Sequence, residues 1–432
     1  MPSSEQQGDI PPVYQIDLSL PPEERYVHLA TIYRREMVAL TGLFDDLLAL
    51  VAPTHAIPWI KRVSRVFLRR LHTSDETAEL KGISRVTGID MYLLVALNVL
   101  LDTLMGCTSG AALCQDDEDE GARPRMLHFR TLDWGMDALR KLLVRLEFVR
   151  SPDTHTVLAT SITYVGFVGV LTGVRQGLSL SLNFRPVHDA SSRWANYRFY
   201  GSHLLVLLGL RPSIASVLRG CLVPGVLPTP GPPLHQALPV LLRTPTTAAY
   251  LVLCDGTTAY VLEKDHRSAH VASDSTFIVA TNSDQFTPVS QGTNPAGNHS
   301  GSFLISGEPV TMSDLVQDSA ERRAYMQLQW HKKVLARRSD SGTRSSGSRS
   351  SSRGSTTHRH DSLRRTRSSK AATSFPTPFV DMTVEPKVTA TSREVIRWTT
   401  AYPITNEVTH FAAVMDPRAG RVVWIRRFLE GV

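Results

Sequence analysis

Residues 106–109 read Gly-Cys-Thr-Ser, and residues 128–133 read His-Phe-Arg-Thr-Leu-Asp. The first stretch marks a change of texture. Upstream, residues 24–104 carry apolar side chains at three- and four-residue steps, the period of helices packed on one face. Glu24–Val51 has this spacing with Glu and Arg between the apolar positions, and Ile57–Leu71 repeats it. From about Asp90 through Tyr92–Leu104 the chain is apolar all round, as a buried helix is. Downstream of Cys107, short β-rich runs alternate with glycine-containing turns. They are Arg125–Phe129, Thr156–Ile162, Leu178–Phe184, Ala248–Leu253, Ala259–Glu263 and Phe277–Thr281. His203–Arg219 interrupts them as an apolar helical stretch, and Asp116–Glu120 reads as a solvated hairpin tip. Arg393–Thr400 reads as a helix, and Thr409–Met415 with Val422–Phe428 as a closing pair of strands. The pattern predicts one α+β unit with a helical segment, 1–106, ahead of a core, 107–337, that is completed by 375–432.

Between them lies a Ser/Arg-rich tract, 338–374, with too little apolar content to offset its ordering entropy, so it is expected to be disordered. The tract also explains the basic balance of the chain. The net charge is +7, but His331–Thr373 holds twelve Lys/Arg against two Asp, which leaves −3 for everything else. Interleaved aromatics are missing from the tract, so sequence-specific nucleic-acid readout is not expected. A binding protein that acts through this tract on RNA or anionic lipid is the rival class of function.

The four cysteines, Cys107, Cys114, Cys221 and Cys254, form neither a CxxC pair nor a zinc-spaced cluster, and neither a metal nor a cofactor is called for. Met1–Pro12 lacks the basic start and apolar run of a secretory signal, so a cytoplasmic or peripheral-membrane setting is expected over a lysosome or vacuole.

Taken alone, Cys107 is a small hydrophobe of the kind usually buried in cores. Its context says more. Gly106-Cys107-Thr108-Ser109, a strand, and then Arg130-Thr131-Leu132-Asp133 resemble the acid ceramidase and N-acylethanolamine acid amidase family of cysteine N-terminal-nucleophile hydrolases. LPPEERY at 20–26, Tyr164-Val165-Gly166, SLSLNFR at 179–185, ATNSD at 280–284, Glu321-Arg322-Arg323 and Ile404–Arg427 resemble further family segments, in family order. Ser283, Ala320-Glu321 and Phe129 stand where relatives usually have Tyr, an Asp pair and Gly.

The resemblance implies a four-layer αββα fold and a nucleophile, Cys107, exposed as a new N-terminus by cleavage of the Gly106–Cys107 bond. The freed α-amine would then serve as the base for its own thiol. Arg130 would favour thiolate, Asp133 would hold the amine, Asn282 would donate to the oxyanion, Arg322 would complete the polar end, and Asn183 would support them. The implied substrate is a membrane-resident N-acyl lipid, ceramide ahead of an acylethanolamide, with the two cleavage fragments staying associated. A fungal-type penicillin acyltransferase shares the Cys-Thr start but lacks the LPPEERY and Glu-Arg-Arg segments. Ile57–Leu71 carries Trp59, Ile60, Val63 and Phe67 between five basic residues, the composition of an interfacial helix that meets a membrane surface. A stripe that packs on the core is the alternative.

Overall fold

The computed structural model describes residues 9–42, 54–100, 106–116, 123–151, 155–186, 193–223, 233–285, 303–305, 308–310, 312–346 and 387–431. Fifteen strands occur among them. They are β1 (Val13–Asp17), β2 (Gly106–Cys114), β3 (Arg125–Asp133), β4 (Leu143–Val149), β5 (Ala159–Tyr164), β6 (Thr172–Arg175), β7 (Leu178–Phe184) and β8 (Ala249–Cys254). Then follow β9 (Ala259–Lys264), β10 (Ala269–Asp274), β11 (Phe277–Ala280), β12 (Phe303–Ile305), β13 (Glu308–Val310), β14 (Thr409–Asp416) and β15 (Arg421–Arg427). The helices are α1 (Val27–Ile32), α2 (Arg34–Ala39), α3 (Ile57–Phe67), α4 (Ser74–Thr87), α5 (Met91–Leu100), α6 (Arg193–Leu207), α7 (Ile214–Leu222), α8 (Leu234–Arg243), α9 (Met312–Ser346) and α10 (Ser392–Thr399).

Two sheets carry the core. The larger has the order β1-β4-β5-β6-β7-β8-β9-β10, and the smaller β11-β2-β3-β14-β15. They pack face to face through β2 and β3 against β7 and β8. Helices cover both outer faces: α7 lies on β6 and β7, while α9 lies on β2 and β11 and α10 on β3 and β14. This is the four-layer αββα architecture.

Composition explains why β2 sits at its centre. Its sequence, GCTSGAALC, has no large side chain before Leu113, so β11, β3 and α9 can all close on it. At Gly110 an added Cβ would lie 2.3 Å from the Ile278 carbonyl oxygen and 2.4 Å from the Phe129 ring. The period of two sends Ser109 toward the larger sheet, where it meets Asn183, and Thr108 toward α9, where it meets Arg322. One strand thus presents polar groups to both of its neighbours.

Some elements differ from the sequence expectation. The leading segment is not only helical: β1 pairs in parallel with β4, with Val13 opposite Arg145 and Asp17 opposite Val149. The expected Glu24–Val51 helix begins as two short ones with a break at Tyr33, and its remainder, 43–51, lies outside the described residues. The next helix ends at Phe67 rather than Leu71, and α4, capped by Thr73 and stopped by Gly88 in the left-handed region, lies within the segment read as helical but was not singled out there. The single stretch His203–Arg219 is the end of α6 and most of α7, separated by Gly209 at φ +66°. Helix α9 runs to Ser346, inside the basic tract expected to be disordered, and 347–386 lie outside the described residues. So does 117–122, most of the acidic tip, while Asp116 pairs with Arg125 at 3.6 Å.

Candidate active site

Cys107 is fully buried at the start of β2, and its two polar ends face different layers. The backbone N–H donates to Asn282 Oδ1 at 2.7 Å. The thiol lies on the side of the larger sheet, with Sγ 4.0 Å from the Leu182 carbonyl oxygen.

On the thiol side stands Arg130, placed by the ladder in which Ser109 faces Arg130. Its guanidinium donates to Ser109 Oγ at 2.8 Å, to the Leu182 carbonyl at 2.7 Å and to Asn183 Oδ1. Burial pushes the Cys107 thiol above its ordinary value. The positive charge of Arg130 and its hydrogen bond, with Arg322 behind them, pull the other way, while Asp133 adds to the rise. Asn183 is the hinge of this group. Its Oδ1 also accepts from Ser109 Oγ at 2.7 Å, and its Nδ2 donates to the carbonyls of Ala280 and Thr281, each at 3.1 Å.

On the helix side stands Arg322, one of the largest fully buried side chains among the described residues. Its guanidinium donates to Thr108 Oγ1 at 3.1 Å, Asp133 Oδ2 at 3.2 Å, Asn282 Oδ1 at 3.2 Å and Asp318 Oδ2 at 3.0 Å. Asp133 also accepts from Thr409 Oγ1 at 2.7 Å. Burial raises the Asp133 carboxyl to about 6, against the pull of Arg322 and the Thr409 hydroxyl.

Asn282 joins the two groups. Donors approach its Oδ1 from Cys107 and Arg322, and its Nδ2 donates to the Phe184 carbonyl at 2.8 Å, so the partners fix the orientation of the amide. This differs from the role expected from sequence. In the uncleaved chain Asn282 turns its oxygen, not its NH2, to Cys107. The sequence reading named Cys107, Arg130, Asp133, Asn183, Asn282 and Arg322, and the structure brings all six together. It did not single out their partners Ser109, Thr108 and Thr409. Ser109 was within reach, because position i+2 of a strand shares the face of its nucleophile candidate. Thr409 comes from a strand 276 residues beyond Asp133 and leaves no local signal. Among the described residues no cluster of His, Cys, Asp or Glu has metal-site geometry.

Residues 9–72 match the family model for the beta subunit of N-acylethanolamine-hydrolyzing acid amidase. A probable acid ceramidase of Caenorhabditis elegans is 27% identical over 41% of this chain and 46% of its own length. The N-acylethanolamine-hydrolyzing acid amidase of C. elegans is 28% identical over 40% of this chain and 47% of its own. The acid ceramidase of Mus musculus is 29% identical over 40% and 45%. Over part of its length this chain is thus similar to acid ceramidases and N-acylethanolamine acid amidases. The aligned part spans about half the length of those relatives. A solved C. elegans N-acylethanolamine acid amidase ortholog superposes with a TM-score of 0.41 at 16% identity, over 72% of this chain and 93% of that one.

The membrane-contact candidates lie on α3, which has no buried residue. Trp59 is 65% and Phe67 55% exposed, while Ile60 and Val63 are half-buried, so the stripe is not absorbed by the core. Among the described residues no helix is long and apolar enough to cross a membrane.

Proposed function

We propose that this chain is an N-acyl amide hydrolase of the ceramidase and acylethanolamide-amidase type, with ceramide as its first substrate and Cys107 as its nucleophile. The observation that carries the reading is the double environment of Cys107. Its nitrogen is held by Asn282 beside Arg322 and Asp133, and its sulfur lies beside Arg130.

Activation follows from the same geometry. Sγ attacks the Gly106 carbonyl carbon, the C–N bond breaks, and the thiol proton passes to the departing nitrogen. Water then hydrolyses the thioester and leaves Cys107 with a free thiol and a free α-amine. The reference pKa of an α-amine is about 8 and that of a thiol about 8.5, so proton transfer between them is nearly isoenergetic. Arg130 stabilises the thiolate, and Asp133 and the Asn282 oxygen accept from the amine. The thiolate then attacks the amide carbonyl of an N-acyl lipid and forms an acyl-enzyme with loss of the amine. Water releases the fatty acid. For Asn282 to donate to the oxyanion, its NH2 must leave the Phe184 carbonyl, a rearrangement that cleavage of the neighbouring bond permits.

Such a substrate resides in a bilayer. Helix α3 supports delivery from one, since its exposed Trp59, Val66 and Phe67 are flanked by Lys61, Arg62, Arg65, Arg69 and Arg70. That combination suits an anionic lipid surface.

The test is mass spectrometry of the purified chain after incubation from mildly acidic to neutral pH, beside Cys107→Ala. Fragments 1–106 and 107–432, absent from the variant, followed by release of fatty acid from ceramide, are the expected result. An intact chain that hydrolyses neither ceramide nor an acylethanolamide, even when supplied starting at Cys107, removes the enzyme reading. Preference for the acylethanolamide would change the substrate alone.

A further inference from the structure

We infer that Ser319 is a positioning residue that sets Asn282 against Cys107, an inference that rests on the hydrolase reading above. Asn282 lies just beyond the end of β11, where the ladder no longer supplies a partner for its backbone N–H. That N–H donates instead to Ser319 Oγ at 2.7 Å. Ser319 is fully buried on α9, three residues before Arg322 and therefore on the same helix face. One turn of α9 thus grips Asn282 at both ends. Ser319 takes its backbone N–H, and Arg322 donates to its side-chain oxygen at 3.2 Å.

The hydroxyl also orders the rest of the segment. Its single proton has two acceptors in reach, Thr281 Oγ1 at 2.8 Å and Ser283 Oγ at 3.1 Å, which flank Asn282 on either side. Two other anchors hold the segment without Ser319. Asn183 Nδ2 binds the carbonyls of Ala280 and Thr281. Arg185 makes a two-pronged pair with Asp284, at 2.9 and 2.8 Å, and the Tyr250 hydroxyl donates to the same carboxylate at 2.7 Å. Removing the Ser319 hydroxyl therefore leaves both ends of the 280–284 segment anchored but takes away the acceptor that the Asn282 N–H uses at 2.7 Å. The segment answers by turning that N–H toward another acceptor, which carries Oδ1 away from the Cys107 nitrogen. Misplacement of about 1 Å in a reacting constellation can cost on the order of 100-fold in rate.

The experiment compares the full chain, Ser319→Ala, Ser319→Thr and Cys107→Ala. It records the rate of cleavage at Gly106–Cys107 by mass spectrometry, and kcat and KM for a short-chain ceramide per mole of free Cys107 N-terminus. Ser319→Ala is expected to slow cleavage and lower kcat by ~10- to 100-fold, with KM held within about twofold. Ser319→Thr, which keeps the oxygen, restores most of both rates. Wild-type cleavage and kcat in a folded Ser319→Ala overturn the inference. So does a Ser319→Ala that fails to fold, or an equal loss in both variants, since these make Ser319 a packing residue. A wild-type chain as inert as Cys107→Ala removes the hydrolase reading, and the positioning role with it.

Discussion

Gly106 and Asp133 are direct partners across the β2–β3 ladder, so the residue before Cys107 lies against the carboxylate that Arg322 and Thr409 hold in place. A Cβ added at position 106 would come within 3.2 Å of Asp133 Cβ and 3.7 Å of Oδ2. The missing side chain at Gly106 is what lets Asp133 stand next to the 106–107 peptide bond.

This contact makes the size of residue 106 a control on cleavage. Alanine at this position requires Asp133 to give by a few tenths of an ångström, whereas valine pushes a second carbon into the carboxylate. Gly106→Ala is expected to slow cleavage by up to ~10-fold and Gly106→Val by ~100-fold or more, on the sensitivity of reacting geometry to small displacements. Time courses of fragment formation followed by mass spectrometry measure both. Equal rates for glycine and valine would show that Asp133 takes no part in cleavage.

Acid sensitivity follows from two histidines that the mechanism does not use. His128 is fully buried between Ser179 Oγ and Ser181 Oγ, each at 2.9 Å, and burial with the nearby Arg130 charge lowers its pKa to about 3. His410, between the Tyr164 hydroxyl at 2.7 Å and the Trp134 carbonyl at 2.8 Å, is lowered to about 3 by burial and by Arg140. Both folded-state values lie below the unfolded value near 6.5, so the unfolded chain binds more protons between pH 6.5 and 3. Their contribution to stability is therefore complete above 6.5 and is lost as pH falls toward 3. Asp133 acts the opposite way: its value of about 6 exceeds the unfolded one of 3.8, so its contribution improves as pH falls through that window. Two histidines against one carboxylate predict a urea midpoint that drops from pH 6.5 to pH 4. His128→Gln, which keeps a hydrogen-bonding side chain but does not titrate, leaves one histidine against Asp133 and should remove most of that slope. A midpoint that rises on acidification, or a slope unchanged in His128→Gln, would contradict this account.

How much of this could be read beforehand depended on where each side chain found its partner. Strands β7 and β9 announced themselves within a residue, because a β-rich run bounded by turn residues is a local signal. Cys107, Arg130 and Asp133 were legible as a set through the family resemblance, whose motifs hold them within a short span of chain. The parallel pairing of Val13–Asp17 with β4 was not, since such a pair needs a partner about 130 residues away and leaves no turn signal. The turn of the Asn282 amide was equally hidden. Its identity could be read from the sequence, but its orientation is decided by Arg322 and Phe184, which come from an outer helix and the opposite sheet. Ser319 had a weaker trace, a helical step of three ahead of Arg322, that acquires meaning only once α9 is known to face β11.

The segment before Gly106 should stay bound after cleavage, because a buried ion pair ties it to the core. Glu79 on α4 has no exposed side-chain surface. Arg219 on α7 meets it through both guanidinium nitrogens, and Arg25 adds a contact at 3.1 Å. Arg219 also donates to the Val168 carbonyl at 2.9 Å, and Glu76, one turn before Glu79, accepts from Ser216 Oγ at 2.7 Å. Asn98 on α5 bonds the Gly166 carbonyl and the Val168 N–H, each at 2.8 Å. These contacts do not cross the 106–107 bond, so cutting it leaves them intact. Fragments 1–106 and 107–432 are expected to co-elute in gel filtration and to separate only in denaturant. Arg219→Ala leaves Glu79 buried with Arg25 alone and should cost about 3–5 kcal/mol, read as a lower denaturant midpoint for separation. The pair Glu79→Met with Arg219→Met removes both charges together and should recover much of that loss, because no unpaired charge remains in the interface. If Arg219→Ala separates at the wild-type midpoint, the Glu79–Arg219 pair does not hold the fragments, and strand β1 in the larger sheet must do so instead.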